Sequence, residues 1–324
     1  MRPNTRGHVM KYLAAVMIGL LATAVSASQN IPDKYPQSVL YSKPVEVIPH
    51  VFSAIGATGP ATYENSGHNN NLSFIVTDQG VVVFNAGANS LLASALHDEI
   101  RKVTDQPVVL VINENGQGHA MLGNGYWRDQ GVDILAHEDA IAETEENAGF
   151  SLQSMENRQL EKAAGSRIEI ANLSFDQRYD ISLGGVDMQI LRLGPAHSPG
   201  DIQLWIPAWG LMITGDLAFH ERMPPIFPET CTKCWLETWE EKLEPMAPTY
   251  IIPGHGHPTN LAQVRRYTRD YLVDLRAKIG AHIEDGGDLA GAYYVDQSNW
   301  SHVDTFKELA TRNAGQVYEE MEWE

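Results

Sequence analysis

Three residues with the side-chain chemistry of zinc or iron ligands each follow an apolar run of strand length. They are His197 within residues 194–201 (GPAHSPGD), Asp216 within 214–216, and His255 within 253–257. A fourth candidate, His119, lies in the loop of residues 113–124, and Asn85 follows another apolar run at residues 84–87. Ligand-type side chains at strand ends are held by a rigid scaffold yet face a cleft. Three or four such groups can hold one metal ion with an open position that lowers the pKa of a bound water. The same groups can also form a hydrogen-bonded polar cleft without metal. The two cysteines, Cys231 and Cys234, are spaced C-x-x-C. That spacing allows a local disulfide, a redox pair or half a thiolate metal site, and no second cysteine pair exists to complete a four-thiolate zinc site. His68 with Asn69, Asn70 and Asn71 forms a polar loop that could line a cleft mouth or simply turn the chain. His220 and His257 lie beside candidate ligands, where they could support them or stand exposed in loops. His50, His97, His137, His282 and His302 have no partner pattern. No G-x-x-x-x-G-K phosphate loop and no G-x-S-x-G serine elbow occurs.

The elements that must position these residues can be traced from apolar periodicity. Residues 72–84 read as a hairpin around the turn at 77–80, and residues 90–103 carry Leu92, Leu96, Ile100 and Val103 at helical spacing. A strand follows at 108–112, then a helix near 119–127, a strand at 132–136 and a long charged helix over 138–164. Strands return at 179–183, 186–193, 202–206 and 211–214. A helix at 236–243, a strand at 250–252 and helices at 261–283 and 305–322 complete the chain. Hairpins and strand–helix alternation, appearing twice, predict an α/β (α+β) fold of two packed sheets with helices outside. Trp205, Trp209, Trp235 and Trp239 read as core packing.

Composition narrows the function. With 23 Lys plus Arg against 41 Asp plus Glu, the net charge is −18, which argues against nucleic acid and anionic membrane surfaces as partners. Arg2, Arg6 and Lys11 precede an uncharged run at residues 12–25, followed by small residues up to Ala27. This is the build of a signal peptide over residues 1–27, too short to span a bilayer. Export to the periplasm or medium is therefore expected, with cleavage near Ala27 and no membrane attachment afterwards; retention of the run as an uncleaved anchor is the alternative.

Residues 74–84 (FIVTDQGVVVF), 194–201, 214–220 (TGDLAFH) and 252–258 (IPGHGHP) together resemble the metallo-β-lactamase superfamily. Within it the chain is most similar to the exported branch found near sulfur-oxidation and quinoprotein systems. The resemblance implies a four-layer αββα sandwich over residues 28–260, one or two metals between the sheets, and a C-terminal helical extension over 261–324 packed on the domain.

The departures from the family pattern bear on function. Asn85 stands where the family has Asp. In the register fixed by Asn113 and by residues 122–124, the His-x-His-x-Asp-His motif is replaced by Asn115, Gln117, His119 and Ala120. Uncharged amide oxygens are poor donors to zinc, so the two-metal centre is expected to be lost. His119, His197, Asp216 and His255 survive as a candidate single-ion site, in which Asp216 would ligate or orient water. The expectation is a pseudoenzyme: a non-catalytic binding or redox-accessory relative with no tightly bound metal, taking a small molecule or a periplasmic redox protein as partner. The alternative is a hydrolase with one zinc or iron ion acting on an ester, thioester or lactam-like bond. A lesser alternative is a thiol–disulfide relay at Cys231 and Cys234.

Overall fold

The computed structural model describes residues 39–324; the expected signal peptide lies outside them. The chain opens with β1 (Val45–Ile48), β2 (Val51–Ala54), β3 (Leu72–Thr77) and β4 (Gly80–Phe84), followed by α1 (Ser90–Val103) and β5 (Val108–Ile112). Next come α2 (Gly118–Met121), α3 (Asn124–Asp129), β6 (Asp133–His137), α4 (Glu138–Gln159) and β7 (Leu173–Phe175). The second half contains β8 (Arg178–Leu183), β9 (Val186–Leu191), β10 (Gln203–Ile206), β11 (Leu211–Phe219), α5 (Thr232–Thr238), α6 (Glu244–Met246) and β12 (Tyr250–His255). It closes with α7 (Leu261–Tyr267), α8 (Arg269–Glu284), α9 (Leu289–Ala292) and α10 (Phe306–Met321).

The first seven strands form one sheet in sequential order, antiparallel up to β4 and parallel beyond it. The second sheet runs β12-β11-β10-β9-β8, with only the β11–β12 pair parallel. Side chains alternate across a strand, and here both faces are covered. Val82 and Phe84 of β4, with Leu110 and Ile112 of β5, meet Leu204, Ile206, Ile213 and Ile252 between the sheets. Val81, Val83 and Val111 face the other way, onto Leu92, Leu96 and Ile100 of α1. Burial on both faces explains why these strands read as unbroken apolar runs. On the far side of the second sheet, Met212, Leu217 and Phe219 pack with Trp235, Trp239, Leu272, Leu275 and Val317. The layers are thus α/β/β/α, as the sequence predicts. Among the described residues, no helix is long and apolar enough to cross a membrane.

Several boundaries differ from the periodicity. The expected helix near 119–127 is two short helices, α2 and α3, hinged at Leu122 and Gly123. A Cβ at Gly123 would lie 2.2 Å from the Ala86 carbonyl oxygen, so glycine permits the close approach to the β4 loop. The expected helix over 261–283 breaks at Thr268. That hydroxyl turns inward, accepts from Phe219 N at 2.8 Å and donates to Phe219 O at 3.1 Å, holding the end of β11. Finally, β11 continues five residues past Thr214, so Asp216 sits in a strand rather than in the loop after it.

Candidate functional site

The β5 run stops at Ile112, and the next three residues are buried although polar. Asn113 Nδ2 donates to the Ala120 carbonyl and to Asn124 Oδ1, which fixes the loop into α2. The Glu114 backbone N–H donates to Asn85 Oδ1. Asn115 Nδ2 donates to Asp201 Oδ1 at 3.2 Å and to Asp216 Oδ2 at 3.4 Å. From the start of α2, His119 Nε2 returns to within 2.8 Å of Glu114 Oε1 and 3.4 Å of Asp216 Oδ2.

The other half comes from β11 and β12, whose register shifts around Gly215. Such an irregularity re-aims a side chain, here Asp216. Gly215 has φ 53°, and a Cβ there would lie 2.3 Å from Glu114 Oε2. A Cβ at Gly254 would lie 2.4 Å from Asp216 Oδ1. Both glycines leave room for a carboxylate. His255 ends β12 with Nε2 3.2 Å from Asp216 Oδ1, although that oxygen receives no properly oriented hydrogen bond from the described residues. His197 Nε2 is 3.7 Å from Asp216 Oδ2. Its Nδ1–H donates to the Pro225 carbonyl at 3.1 Å, so Nε2 is the lone-pair nitrogen and accepts from Gln117 Nε2 at 3.0 Å.

The four sequence-derived candidates therefore converge, in two tiers. Ligand atoms of His119, Asp216 and His255 lie within 4.8 Å of one another, while His197 stands beside them on Gln117. Two buried groups were not anticipated. Glu114 is fully buried with Oε2 unpartnered among the described residues, and its only signal in the sequence was a charge directly after an apolar strand. Arg222, 6% exposed, places Nη1 3.1 Å from His255 Nδ1.

Electrostatics follow from burial. Desolvation and the charge of Asp216 push Glu114 up to about 7, against the pull of His119. Burial would lower His119, but Asp216 and Glu114 overturn this and raise it to about 9. Asp216 is driven up by burial and more than driven back by the imidazoles of His255 and His119, leaving it below the usual carboxylate range. Burial lowers both His197 and His255 to about 4. Asp201 is held well above its ordinary value by desolvation and by Asp216.

Above this floor opens a cleft of about 1000 Å³, bordered by α4 and lined in part by His119, Leu122, Phe150, Met155 and Phe227. Glu143 of α4 reaches in to accept from Gly116 N at 3.0 Å, and burial raises it to about 7.

Several sequence readings change in three dimensions. His68 does not line the cleft: it is fully buried, accepting from Tyr41 N at Nδ1 and lying 3.2 Å from the Ala54 carbonyl at Nε2. Asn71 is the joint there. Its Nδ2 donates to the Pro253 and Gly256 carbonyls and its Oδ1 accepts from Gly56 N. His220 and His257 are buried rather than exposed, and bond to the His257 carbonyl and to Glu221 respectively. His137 caps the N-terminus of α4. Ala120 is buried, its carbonyl accepting from Ala86 N and Asn113 Nδ2. Cys231 and Cys234 form a disulfide at the start of α5, and neighbouring Thr230 donates to the His197 carbonyl.

The two sheets, their outer helices and the cleft at their edge make this the metallo-β-lactamase fold. No protein-family profile matches the chain. It is 23% identical over 193 residues to the metallo-β-lactamase type 2 of Bacteroides fragilis, covering 56% of this chain and 70% of the relative. It is 22% identical to the metallo-β-lactamase IND-1 of Chryseobacterium indologenes, covering 64% and 77%. Among solved structures, a metallo-β-lactamase from Pontibacter korlensis superposes with a TM-score of 0.59 at 14% identity, covering 71% of this chain and 98% of that one. The stereoselective inverting sec-alkylsulfatase Pisa1 from Pseudomonas sp. superposes with a TM-score of 0.68 at 15% identity, covering 86% of this chain and 50% of the sulfatase. That share exceeds what residues 1–260 contain, so this likeness extends into the C-terminal helices.

Proposed function

We propose that this is an exported metallo-β-lactamase-fold binding protein whose cleft has lost two-metal hydrolysis. One observation carries the reading. The lone pairs that a first metal ion would need, on His197 Nε2 and Asp216 Oδ2, accept hydrogen bonds from the amides of Gln117 and Asn115. Those amides stand where the resemblance expects two histidines, and their N–H groups point at the remaining candidate ligands. A two-metal centre does not fit this donor set. His119 lies between Glu114 and Asp216, which favour its protonated form and so a charge supplied from within the chain. The cleft offers Leu122, Phe150, Met155 and Phe227 to the apolar part of a small molecule, and Gln117 and Glu143 to its polar part. The sequence resemblance to the exported branch near quinoprotein and sulfur-oxidation systems supports a periplasmic setting and a role beside redox proteins.

A single-ion hydrolase is the second reading. It is favoured by the spacing of His119, Asp216 and His255 and by the unpartnered oxygens Glu114 Oε2 and Asp216 Oδ1. These three residues would hold one zinc or iron ion, which when bound supplies Lewis-acid chemistry. Glu114 would then hold His119 in place through its 2.8 Å contact.

Elemental analysis of protein purified without chelators separates the two. We expect well under one equivalent of zinc or iron, and hydrolysis of ester, thioester and lactam substrates indistinguishable from buffer. About one equivalent of metal, lost in His255→Ala, would replace the binding reading with the hydrolase. Sequencing the N-terminus of the exported protein tests cleavage near Ala27.

A further inference from the structure

One face of α4 lines the cleft along most of its length. Glu143, Glu146, Phe150, Ser154 and Arg158 recur at the three- and four-residue spacing of a helix stripe, and all five border the cavity. The cavity is therefore a groove laid along a helix. Its volume of about 1000 Å³ lies at the top of the roughly 300–1000 Å³ range of pockets for drug-sized ligands.

The two ends of this groove differ in charge. Glu143 accepts from Gly116 N beside Gln117, and Gln117 meets His197, whose ring packs 5.3 Å from that of Phe227. Glu146 lies one turn further along α4, and Glu229 is two residues past Phe227, so three carboxyl groups border this end. Helix capping does not account for them. Glu138 and Asp139 already occupy the first turn of α4, and the pull of the helix dipole fades beyond it. Arg312 is engaged over the Phe227 ring at 5.1 Å. Arg158 carries the opposite charge about 22 Å along the helix from Glu143. Phe150 stands midway and is 76% exposed, a large apolar side chain left to solvent between the charged ends.

Gln159, next to Arg158, is an independent sign of an occupant. It lines the groove yet is only 1% exposed. Its Nε2 donates to the Thr62 carbonyl at 2.9 Å, which commits the nitrogen and leaves Oε1 as an acceptor. That oxygen has no partner among the described residues. Buried acceptors are nearly always satisfied. The missing donor is one that a peptide backbone carries at almost every residue.

We propose that the groove along α4 binds a short extended peptide. Its basic N-terminal end lies against Glu146 and Glu229, an apolar side chain covers Phe150, and its C-terminal carboxylate meets Arg158. The span of about 22 Å corresponds to roughly seven residues of extended chain. The inference rests on the binding reading above and names its ligand class.

Isothermal titration calorimetry of the full chain tests it. The probe is an octapeptide with two N-terminal lysines, an alternating leucine–alanine middle and a free C-terminal carboxylate. We expect saturable one-to-one binding. Glu146→Gln with Glu229→Gln should weaken it about 3–10-fold, the worth of two exposed ion pairs, and Phe150→Ala should also weaken it. Asp187→Asn with Glu241→Gln, two exposed carboxylates on other elements, should change it less than twofold. Amidating the peptide's C-terminus should weaken binding to the unaltered protein but not to Arg158→Gln. A tetrapeptide with the same ends, too short to span the stripe, should lose that dependence on Arg158. All the substituted residues are exposed, so circular dichroism should match the unaltered chain. Absence of saturable binding, equal losses in the two carboxylate pairs, or an amidation effect that survives Arg158→Gln overturns the proposal. One equivalent of zinc or iron with hydrolysis of the ester, thioester or lactam substrates would instead overturn the binding reading itself.

Discussion

His68 shows how strictly single side chains are constrained beneath the cleft. Nδ1 accepts from Tyr41 N at 2.9 Å, so the ring's proton is on Nε2 and faces the Ala54 carbonyl. A second proton on Nδ1 would clash with the Tyr41 N–H. Burial accordingly lowers this histidine from 6.5 to about 4. The folded value lies below the unfolded one, so the unfolded chain binds more protons between them. Stability is therefore fully present above pH 6.5 and lost as pH falls towards 4. The gap corresponds to about 3 kcal/mol. We expect a His68→Gln variant, which keeps one donor and one acceptor, to lose that share of the acid sensitivity. Urea midpoints of the two proteins between pH 7.5 and 4 check this, and equal slopes would refute it. The residue scale is also where sequence reading falls short. The types at His119, His197, Asp216 and His255 announce a site, but its character depends on partners that only folding supplies. Arg222 is 33 residues from His255, and Asn69 is 186 residues away. Nothing local at Arg222 signals that it will be buried against an imidazole.

At the scale of elements, legibility follows from how many faces an element buries. The β3–β4 hairpin, α1 and β5 are read almost to the residue because their apolar patterns are strong. The short β1, β2 and β7 go unread, since three or four residues carry too little periodicity. Breaks such as Thr268 go unread because their cause is a contact with another element. The segment between β11 and α5 is the clearest case. It carries Pro225 and Phe227, which bond and pack His197, yet it has no regular structure of its own. Its shape comes from Asn313 in α10, fully buried, which accepts from Ile226 N at 3.0 Å and donates to the Pro224 carbonyl at 2.8 Å. Asn313→Ala would leave both backbone groups buried and unpaired, at a cost of about 2–4 kcal/mol. The lowered urea midpoint should come with weakened fixation of His197, visible as a change in its imidazole NMR shifts. A midpoint within error of the original would show that the segment holds its own shape.

For the whole molecule, the question is whether the last helices are an appendage or part of the core. Leu309, Ala310, Ala314, Val317 and Tyr318 of α10 belong to the same buried cluster as Met212, Leu217 and Phe219 of β11, the strand that carries Asp216. Glu320 ties α10 to the start of α5, beside the disulfide. Its carboxylate accepts from the Lys233 backbone N–H at 3.1 Å and from the Thr232 hydroxyl, and Arg276 of α8 lies 3.3 Å from it. Removing residues 305–324 would expose several side chains each worth about 1.5–3 kcal/mol when fully buried. Against a net stability of only about 5–15 kcal/mol, that loss is decisive. We expect the shortened chain to give little native circular dichroism, to aggregate on size exclusion and to lose cooperative unfolding. A soluble truncated chain with an unchanged melting transition would instead show that the αββα layers fold alone. The site would then depend on α10 only through Asn313 and the segment it holds. The two outcomes differ in whether the cleft could survive without the extension, which the shared core of β11 and α10 argues it does not.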